Sequence, residues 1–596
     1  MPVFSSLRTS LLLATLALMS AHSAPSVDWK PFLFTSAAGD TVTADSARVT
    51  VPENRARPTG RSIQIAVVRI RSTSTSPRAP ILYLAGGPGG AGIAGVRGDL
   101  FPTVLALRSV SDIILFDQRG TGQTLPSLGT RRTIGAPLHL SSTSPDAKQA
   151  MLASSRAAAE EVRARGIDLT AYNTNENADD IDNIRKALDV AKITLWGHSY
   201  GSHLGLTYVR RHGATVERAI FGGINGPDHR RRFPQDGDVL FHRLDSVVKS
   251  SPSLRAIMPD FFGTTKRVLD RLAQQPVTVT VDSQTVLVSK EDVQTVIAIQ
   301  SGEQAFVRRL PALVGQMDAG NFVLMARMVR EVIKNRPFGT VMTYMTDLAS
   351  GVSDERASKI REQVPGALLG NAINFPFDDP DFQAVWSAPD LGPQFRAPIR
   401  SDVPTLFISG TLDGRTSLGD AEEVRRGFSH NAHIVVAGAS HNPYALTPTL
   451  RDAMVRFARG ETVRDQVLQA PFVELRGPDE GLITDDLRTA AKDGPDAAAQ
   501  RLRTMAKAGS GRHVTSLIVN DVVLAAARQD RALASTVLAA GLELFPKSSA
   551  LLTRRAELEV ASGNKPQAIA SYRAAIDADP FNQVAAVQLR KLLDAP

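Results

Sequence analysis

Short, largely apolar runs recur along the first third of the chain and return near residue 400. The longest, Ile63 to Arg71, alternates partly with polar residues and is rich in β-branched side chains, so it predicts a strand. The shorter runs are typical of strands buried on both faces of a sheet. They are Ile81–Ala85, Ile113–Phe116, Ile193–Trp196, Ala219–Phe221, Thr405–Ile408 and Ile434–Val436.

Helical segments separate these runs, and the alternation predicts an α/β fold with a mainly parallel sheet and right-handed crossovers. We assign residues 24–227 to the first part of this core and residues 399–460 to the second. Between them the pattern becomes mainly helical, as in Val239–Val248, Glu291–Gln300 and Phe322–Lys334.

Residues 228–398 are therefore predicted to form a mainly helical cap. A hairpin of Val277–Val281 against Thr285–Ser289 interrupts its helices. Because the cap is inserted between two strands of the sheet, we expect it to cover the carboxyl ends of the strands, where ligands bind in open α/β sheets.

Beyond about Gly460 the chain is rich in alanine, is predicted to be helical and carries an internal period. Ala534, Leu538, Gly541 and Pro546 recur 34 residues later as Ala568, Tyr572, Ala575 and Pro580. This is the period of tetratricopeptide (TPR) repeats, each a pair of helices. We predict TPR-like helical repeats over residues 480–596 that pack on the preceding domains, on a second subunit or on a protein partner. A helical tail without repeats is the alternative.

The first 23 residues have the features of an export signal. Arg8 precedes an apolar stretch from Leu11 to Met19, and small residues follow before Ala24. The apolar stretch is too short to span a bilayer. We therefore predict a signal peptide over residues 1–23, a periplasmic or extracellular location, and no stable membrane insertion. An uncleaved interfacial anchor is the alternative.

Composition narrows the chemistry further. Cysteine is absent, which excludes disulfides, a thiol nucleophile and a lipid-modified amino-terminal cysteine. The net charge is +8, but Lys and Arg are spread along the chain, so the charge does not indicate a nucleic-acid partner. The longest basic cluster, His229–Arg232, lies in a predicted loop, where we expect a solvated face.

One short motif lies between a predicted strand and a predicted helix, Ser202–His212: Gly197-His198-Ser199-Tyr200-Gly201. Glycines around a serine in this context are typical of the nucleophile elbow of α/β hydrolases, a tight turn that projects the serine hydroxyl above the sheet. We therefore predict the α/β-hydrolase fold, with Ser199 as the nucleophile.

A serine nucleophile needs a base, and the base needs an acid that fixes its tautomer. In this fold the acid and then the histidine follow the serine along the chain. Asp413 and His441 each follow a predicted strand, so we assign them as the acid and the general base. The weaker candidates precede or begin strands or helices, or lie at the opposite strand end: Asp402, Asp420, His430 and His433.

The glycine-rich segment Leu84–Gly90 leaves a predicted strand where this fold places the donors that stabilise the reaction's oxyanion. We assign the backbone N–H groups of Gly87 and Tyr200 as these donors, because Tyr200 follows the nucleophile. A phosphate-binding loop is the alternative. It is disfavoured because no Lys-Ser or Lys-Thr follows and no helix is predicted directly after the segment.

Three motifs in this order resemble peptidase family S33, the proline iminopeptidase and tripeptidyl aminopeptidase-like branch of the α/β hydrolases. They are Gly86–Gly90, Asp117-Gln118-Arg119-Gly120-Thr121-Gly122 and Gly197–Ser202. The resemblance covers roughly residues 30 to 460. The chain departs from the pattern at Thr124, where the family usually has serine, and in lacking cysteines that the tripeptidyl branch often carries near the acid strand.

The resemblance implies release of residues from a free peptide amino terminus, without a metal or an organic cofactor. A substrate ammonium would need a carboxylate in the cap, because an unpaired buried charge is costly. Four cap residues are available, and the sequence does not choose among Glu291, Glu303, Glu331 and Glu362. A carboxylesterase or lipase with the same triad is one alternative, and a TPR-mediated binding protein with a secondary hydrolase body is another.

Overall fold

The computed structural model describes residues 27–334, 340–444, 446–470, 474–579 and 582–594. The predicted signal peptide, residues 1–23, lies outside these ranges. The strands within them are β1 (Lys30–Thr35), β2 (Thr41–Pro52), β3 (Ser62–Ile70), β4 (Ile81–Leu84), β5 (Ile113–Phe116), β6 (Ile193–His198), β7 (Val216–Gly222), β8 (Val277–Val281), β9 (Gln284–Val288), β10 (Thr405–Gly410), β11 (Asn431–Ala437) and β12 (Gln466–Gln469).

Ten of these strands form one sheet in the order β1-β2-β3-β5-β4-β6-β7-β10-β11-β12. The strands from β5 to β12 in this order are parallel to their neighbours, and β1, β2 and β3 continue the sheet antiparallel to them. Every residue of β4, β5 and β10 is buried, because helices cover both faces of the central sheet. The chain has the α/β-hydrolase fold with a mostly parallel sheet, as the sequence predicts.

The helices that precede the cap are α1 (Gly92–Gly95), α2 (Phe101–Leu107), α3 (Pro145–Arg163), α4 (Thr174–Ala187) and α5 (Tyr200–His212). Apolar residues of α4 and α5 pack on one face of the sheet, as Ile181 and Leu204 do with Phe221. The opposite face packs against α2, through residues such as Val104.

Ten helices and the hairpin β8–β9 lie in the described residues between β7 and β10. The helices are α6 (Gln235–Ser250), α7 (Pro252–Ile257), α8 (Phe261–Gln274), α9 (Lys290–Gln300), α10 (Gln304–Asp318), α11 (Val323–Val329), α12 (Val341–Ser350), α13 (Asp354–Gln363), α14 (Pro380–Trp386) and α15 (Gly392–Arg396). The predicted hairpin is confirmed, with Val277 opposite Val288. This insertion has its own apolar core, which includes Phe241, Val296 and Leu310.

The chain then returns to the sheet. Two helices flank the last strands, α16 (Leu418–Arg425) and α17 (Pro448–Ala458). The C-terminal region is helical, as predicted, and consists of α18 (Glu480–Ala490), α19 (Pro495–Met505), α20 (Ser516–Ala526), α21 (Arg531–Leu544), α22 (Ser549–Ala561), α23 (Lys565–Ala578) and α24 (Gln583–Asp594). The assignment of these helices as TPR-like repeats stays a prediction. No helix of the described residues has the length and apolar character needed to cross a membrane.

The segment Asp117–Gly122, singled out by the sequence, acts as a brace between loops. The fully buried Arg119 donates to both carboxylate oxygens of Asp180 at 2.8 Å, and its Nη1 donates to the carbonyl oxygens of Glu53 and Ala171. Gln118 Nε2 donates to Ala85 O at 2.9 Å, at the start of the glycine-rich loop. The motif therefore fixes the position of that loop from behind.

We expect Arg119→Ala to lower the free energy of unfolding by about 3 kcal/mol, because it removes a buried cation from a buried carboxylate. Urea titration followed by tryptophan fluorescence measures this, since Trp29, Trp196 and Trp386 all lie in the sheet domain and the cap.

The control is Arg57→Ala, which removes an exposed arginine from its ion pair with Asp168 and should have a much smaller effect. Equal losses in the two variants would contradict the bracing role of Arg119.

Candidate active site

Ser199 lies between β6 and α5 with φ +56° and ψ −122°, a conformation that is costly for a residue with a side chain. The flanking glycines permit it: a Cβ on Gly197 would lie 2.4 Å from Gly201 O, and a Cβ on Gly201 would lie 1.9 Å from Leu84 O. The turn is held further because Ser199 N donates to Gly222 O at 2.9 Å. The predicted strand, strained turn and helix are all present around Ser199.

Asp413 and His441 form a hydrogen-bonded pair between Oδ2 and Nδ1 at 2.7 Å. Asp413 follows β10 and His441 follows β11, as predicted from the apolar runs. The carboxylate also accepts from the backbone N–H of Arg415 and Thr416 at 2.7 and 3.0 Å, and from Thr416 Oγ1 at 2.6 Å. These bonds hold the Asp413 carboxylate in a fixed orientation toward the imidazole.

The backbone at Gly222 and Gly223 lies between Ser199 and His441. Ser199 N is bonded to Gly222 O, and a Cβ on Gly223 would lie 2.7 Å from His441 Cε1. The His441 ring is also 4.8 Å, centroid to centroid, from the ring of His198, the residue before Ser199. The structure therefore brings the three predicted residues to one region. The Asp413–His441 hydrogen bond is present, whereas Ser199 Oγ makes no hydrogen bond within the described residues.

Burial and local charges set the protonation of this region. Burial by itself would raise the pKa of Asp413, but the charge and hydrogen bond of His441 and the bond from Thr416 outweigh it and lower the pKa to about 2. Burial, together with the nearby His441, lowers the pKa of His198 to about 3. At neutral pH, Asp413 is therefore ionised and His198 is neutral.

The glycine-rich loop after β4 lies directly against the elbow. A Cβ on Gly86 would lie 3.1 Å from Ser199 Cβ, and Gly87 adopts φ +117°. The N–H of Gly87 makes no hydrogen bond among the described residues, so it is available to a ligand. The one-turn helix α1 opens at Gly92, so the expectation that no helix follows this loop is wrong, although no Lys-Ser or Lys-Thr follows it.

Two parts of the cap contact these loops. Thr343 Oγ1 on α12 donates to Pro88 O at 2.7 Å. Between α9 and α10, Ser301 O accepts from Gly414 N at 3.2 Å and Gly302 O accepts from His441 N at 3.2 Å. The insertion therefore covers the carboxyl ends of the strands, as expected, and touches the glycine-rich, acid and histidine loops.

A cavity of about 470 Å³ lies between the cap and the glycine-rich loop. Gly87 and Pro88 line it on the loop side. The charged groups in its lining are three arginines and two carboxylates, namely Arg230, Arg232, Arg415, Glu331 and Asp347. Its position next to Gly86 and Gly87 makes it the candidate substrate site.

The basic cluster His229–Arg232 corrects one sequence-based expectation. The structure buries all four residues, with exposed fractions of 1%, 5%, 5% and 8%, so this is not a solvated face. Arg230 is paired with Asp347 of α12, and Arg231 donates to Phe377 O. The sequence pattern missed this because a run of arginines in a loop is usually solvated.

The four glutamates proposed for a substrate ammonium are mostly elsewhere. Glu331 lines the cavity, whereas Glu291, Glu303 and Glu362 are not part of its lining. Sequence reasoning missed Asp347, a buried carboxylate on the cavity-facing helix α12. The sequence gives no signal for this, because a single acidic residue on a helix is usually solvated.

One group of possible metal ligands occurs in the described part of the chain: His229, Asp420 and Glu423. Arg356 donates to Asp420 at 3.2 Å and lies 3.8 Å from Glu423. A guanidinium at these distances already balances the carboxylates, so the geometry favours an ion-pair network over a metal site.

Comparison with known proteins supports the fold. The chain matches a family model described as "alpha/beta hydrolase fold" over residues 79–291. This range includes Gly87, Ser199 and Tyr200 and ends before Asp413 and His441.

Curated relatives cover only part of the chain. A tripeptidyl aminopeptidase from Streptomyces coelicolor is 31% identical over 210 residues, which are 32% of this chain and 38% of the relative. The serine protease Hip1 from Mycobacterium bovis is 25% identical over 187 residues, 30% of this chain and 36% of the relative. The match thus spans under two fifths of these relatives. The crystal structure of a proline iminopeptidase from Mycobacterium smegmatis aligns at 14% identity over 69% of this chain and 98% of that chain, with a TM-score of 0.31.

The buried histidines near the elbow predict a pH dependence of stability. Burial lowers the pKa of His198 and of His203 to about 3, so below about pH 6.5 the unfolded chain binds protons that the folded chain does not. Each histidine should therefore reduce the free energy of unfolding by roughly 1.4 kcal/mol per pH unit between about pH 6.5 and 3.

We expect His203→Gln to reduce the pH dependence of the free energy of unfolding by roughly 1.4 kcal/mol per pH unit, the contribution of one buried histidine. Urea titration at pH 6, 5 and 4.5 measures this. His242→Gln, at an exposed position of α6, is the matched control and should leave the slope unchanged. An unaltered slope in His203→Gln would contradict the assignment of a neutral buried imidazole.

Proposed function

We propose that this protein is a serine hydrolase that transfers an acyl group to water. The observation that carries the proposal is the strained Ser199 elbow beside the hydrogen-bonded His441–Asp413 pair. In this mechanism Ser199 Oγ attacks the substrate carbonyl, and His441 Nε2 takes the serine proton and returns it to the leaving group. Asp413 holds Nδ1 protonated and stabilises the imidazolium as it forms. The serine–imidazole hydrogen bond would tighten when substrate binds, as it often does in such sites.

The oxyanion of the tetrahedral intermediate would be stabilised by the N–H groups of Gly87 and Tyr200. Gly87 lines the cavity with its N–H unpaired among the described residues, and Tyr200 begins α5, where the helix N-terminus favours negative charge.

We propose more specifically an aminopeptidase that acts on peptides with a free amino terminus. Support comes from the likeness to the tripeptidyl aminopeptidase and from the carboxylates that line the cavity. Of these, Glu331 is the candidate for the substrate ammonium, because its side chain is about half exposed and its ion-pair partner, Arg330, is not part of the cavity lining.

Ser199→Ala should lower kcat by at least about 10⁴-fold, because the acyl-enzyme cannot form. Asp413→Asn should lower it by about 10⁴-fold, because the imidazole then takes the wrong tautomer. Ser246→Ala, at an exposed position of α6, is the control. The measurement is steady-state hydrolysis of alanine-based anilides with free amino ends. Full turnover by Ser199→Ala would overturn the proposal.

The same assay separates the alternatives. Blocking the amino end of the anilide should abolish turnover by an aminopeptidase, and Glu331→Gln should raise KM for the free-amino substrate alone. Turnover of nitrophenyl esters without any peptide hydrolysis would instead favour the carboxylesterase. Absence of both activities in the wild-type protein would favour the binding-protein alternative.

Gly87→Ala should lower kcat by about 10² to 10³-fold, because it displaces an oxyanion donor. A Cβ at this position would lie 2.9 Å from the backbone nitrogens of Gly89 and Gly90, and φ is +117°. Gly95→Ala is the matched control, since a Cβ there would meet open space. Equal kcat values for the two variants, measured with the same anilide, would remove Gly87 from the mechanism.

We also propose that the chain is exported and that α18–α24 act as TPR-like repeats for a partner or for self-association. The features of residues 1–23 support export. For the repeats, both bounds of α23 (Lys565–Ala578) lie 34 residues after those of α21 (Arg531–Leu544). Ala534 and Ala568, one period apart, are both fully buried.

A further inference from the structure

Two arginines of the cavity have no carboxylate partner among the described residues. The side chain of Arg232 is almost fully buried, its Nε is without a hydrogen-bond partner, and only its backbone is bonded, to Asn374. Arg415 Nη1 donates to Ile299 O at 2.7 Å, and no carboxylate of the described chain lies within ion-pair distance of it. Both arginines line the cavity.

Four carboxylates are close enough for their charges to act on Arg232 or Arg415, namely Asp347, Asp413, Asp420 and Glu303. Asp347 is paired with Arg230, Asp413 with His441 and Asp420 with Arg356. Among the described residues, Glu303 forms no ion pair with Arg415 either. Residues 335–339, outside the described ranges, have the sequence Asn-Arg-Pro-Phe-Gly, which contains no acidic residue. The lining of the cavity therefore holds three guanidinium groups and two carboxylates, and neither carboxylate forms an ion pair with Arg232 or Arg415.

A buried cation without a partner is unfavourable, because it loses its hydration without gaining an ion pair. Burial, with the charges of Arg415 and Arg230, lowers the pKa of Arg232 to about 9. The group is still protonated at neutral pH. A carboxylate is the natural complement, since a planar guanidinium binds both of its oxygens at once.

We propose that this cavity binds a carboxylate of the substrate through Arg232 and Arg415. The enzyme would then prefer peptides that carry an acidic side chain or a terminal carboxylate close to the scissile bond, because Gly87 of the glycine-rich loop lines the same cavity. The inference rests on the proposed function, since it takes the cavity as the substrate site.

Binding tests this independently of turnover. The full chain carrying Ser199→Ala is titrated calorimetrically with alanine tetrapeptide amides in which one glutamate is moved through the four positions. The matched set has glutamine in its place, and tetra-alanine with a free carboxyl end tests the terminal carboxylate. We expect at least one carboxylate peptide to bind tenfold or more tightly than its neutral counterpart, because charge-assisted bonds to a buried cation are strong.

Arg232→Gln and Arg415→Gln, each added to Ser199→Ala, should remove most of this preference while leaving the neutral peptides bound as before. Arg400→Gln, at an exposed position before β10, is the control and should keep the preference. Urea titration of each variant checks folding, and two arginine variants are used so that one may misfold without ending the test.

Each outcome decides one claim. Equal binding of the glutamate, glutamine and free-carboxyl peptides overturns the carboxylate site, as does a preference that both arginine variants retain. If carboxylate peptides bind preferentially but wild-type protein hydrolyses neither anilides nor esters, the carboxylate site stands and the hydrolase proposal fails. Preference for glutamate amides over the free-carboxyl peptide assigns the site to an acidic side chain, and the reverse assigns it to a chain terminus.

Discussion

The close approach of α5 to β4 at Gly201 is the constraint on which the rest of the candidate site depends. Because Gly201 lies against Leu84 O, the helix begins directly above the sheet, and Ser199 is forced into a left-handed conformation. The strain is stable only because strands and helix on both sides over-determine the turn. The turn places the serine hydroxyl and the helix N-terminus beside the glycine-rich loop, which leaves the neighbouring parallel strand β4 at the same end of the sheet.

The cap covers the loops at this end of the sheet. Its segment between α9 and α10 is bonded to both the Asp413 loop and the His441 loop, and α12 is bonded to the glycine-rich loop. The cap has an apolar core of its own, and Tyr344 and Trp386 also pack with α3 in a second apolar cluster that joins the cap to the sheet domain.

Much of this arrangement could be predicted from sequence, because it is written in local patterns. Buried parallel strands are short apolar runs, so β4–β7, β10 and β11 were recognisable, and residues that follow such strands must meet at one edge. This reasoning located Ser199, Asp413 and His441. The two edge strands, β1 and β12, and β2 beside β1 were missed, because they are partly exposed and mix polar with apolar residues.

The cap was predictable only as a set of helices. Which of its charged residues face the cavity depends on tertiary packing, which periodicity does not encode. Asp347 lies on a largely apolar helix, and the arginines of residues 230–232 lie in a loop, so both patterns pointed away from their actual environments.

The burial of three consecutive arginines is energetically unfavourable unless each guanidinium group has an ion-pair or hydrogen-bond partner. Arg230 forms an ion pair with Asp347, and Arg231 donates a hydrogen bond to the Phe377 carbonyl oxygen. Arg232 Nε has no hydrogen-bond partner within the described chain. A neutral residue of similar volume at that position would make the folded protein more stable. A destabilising residue of this kind is retained where it serves function, and the surroundings of Arg232 indicate that function. Arg232 lines a cavity rather than the packed core, and the glycine-rich loop that would stabilise the oxyanion lines the same cavity. The anion that pairs with its guanidinium would therefore be part of the substrate.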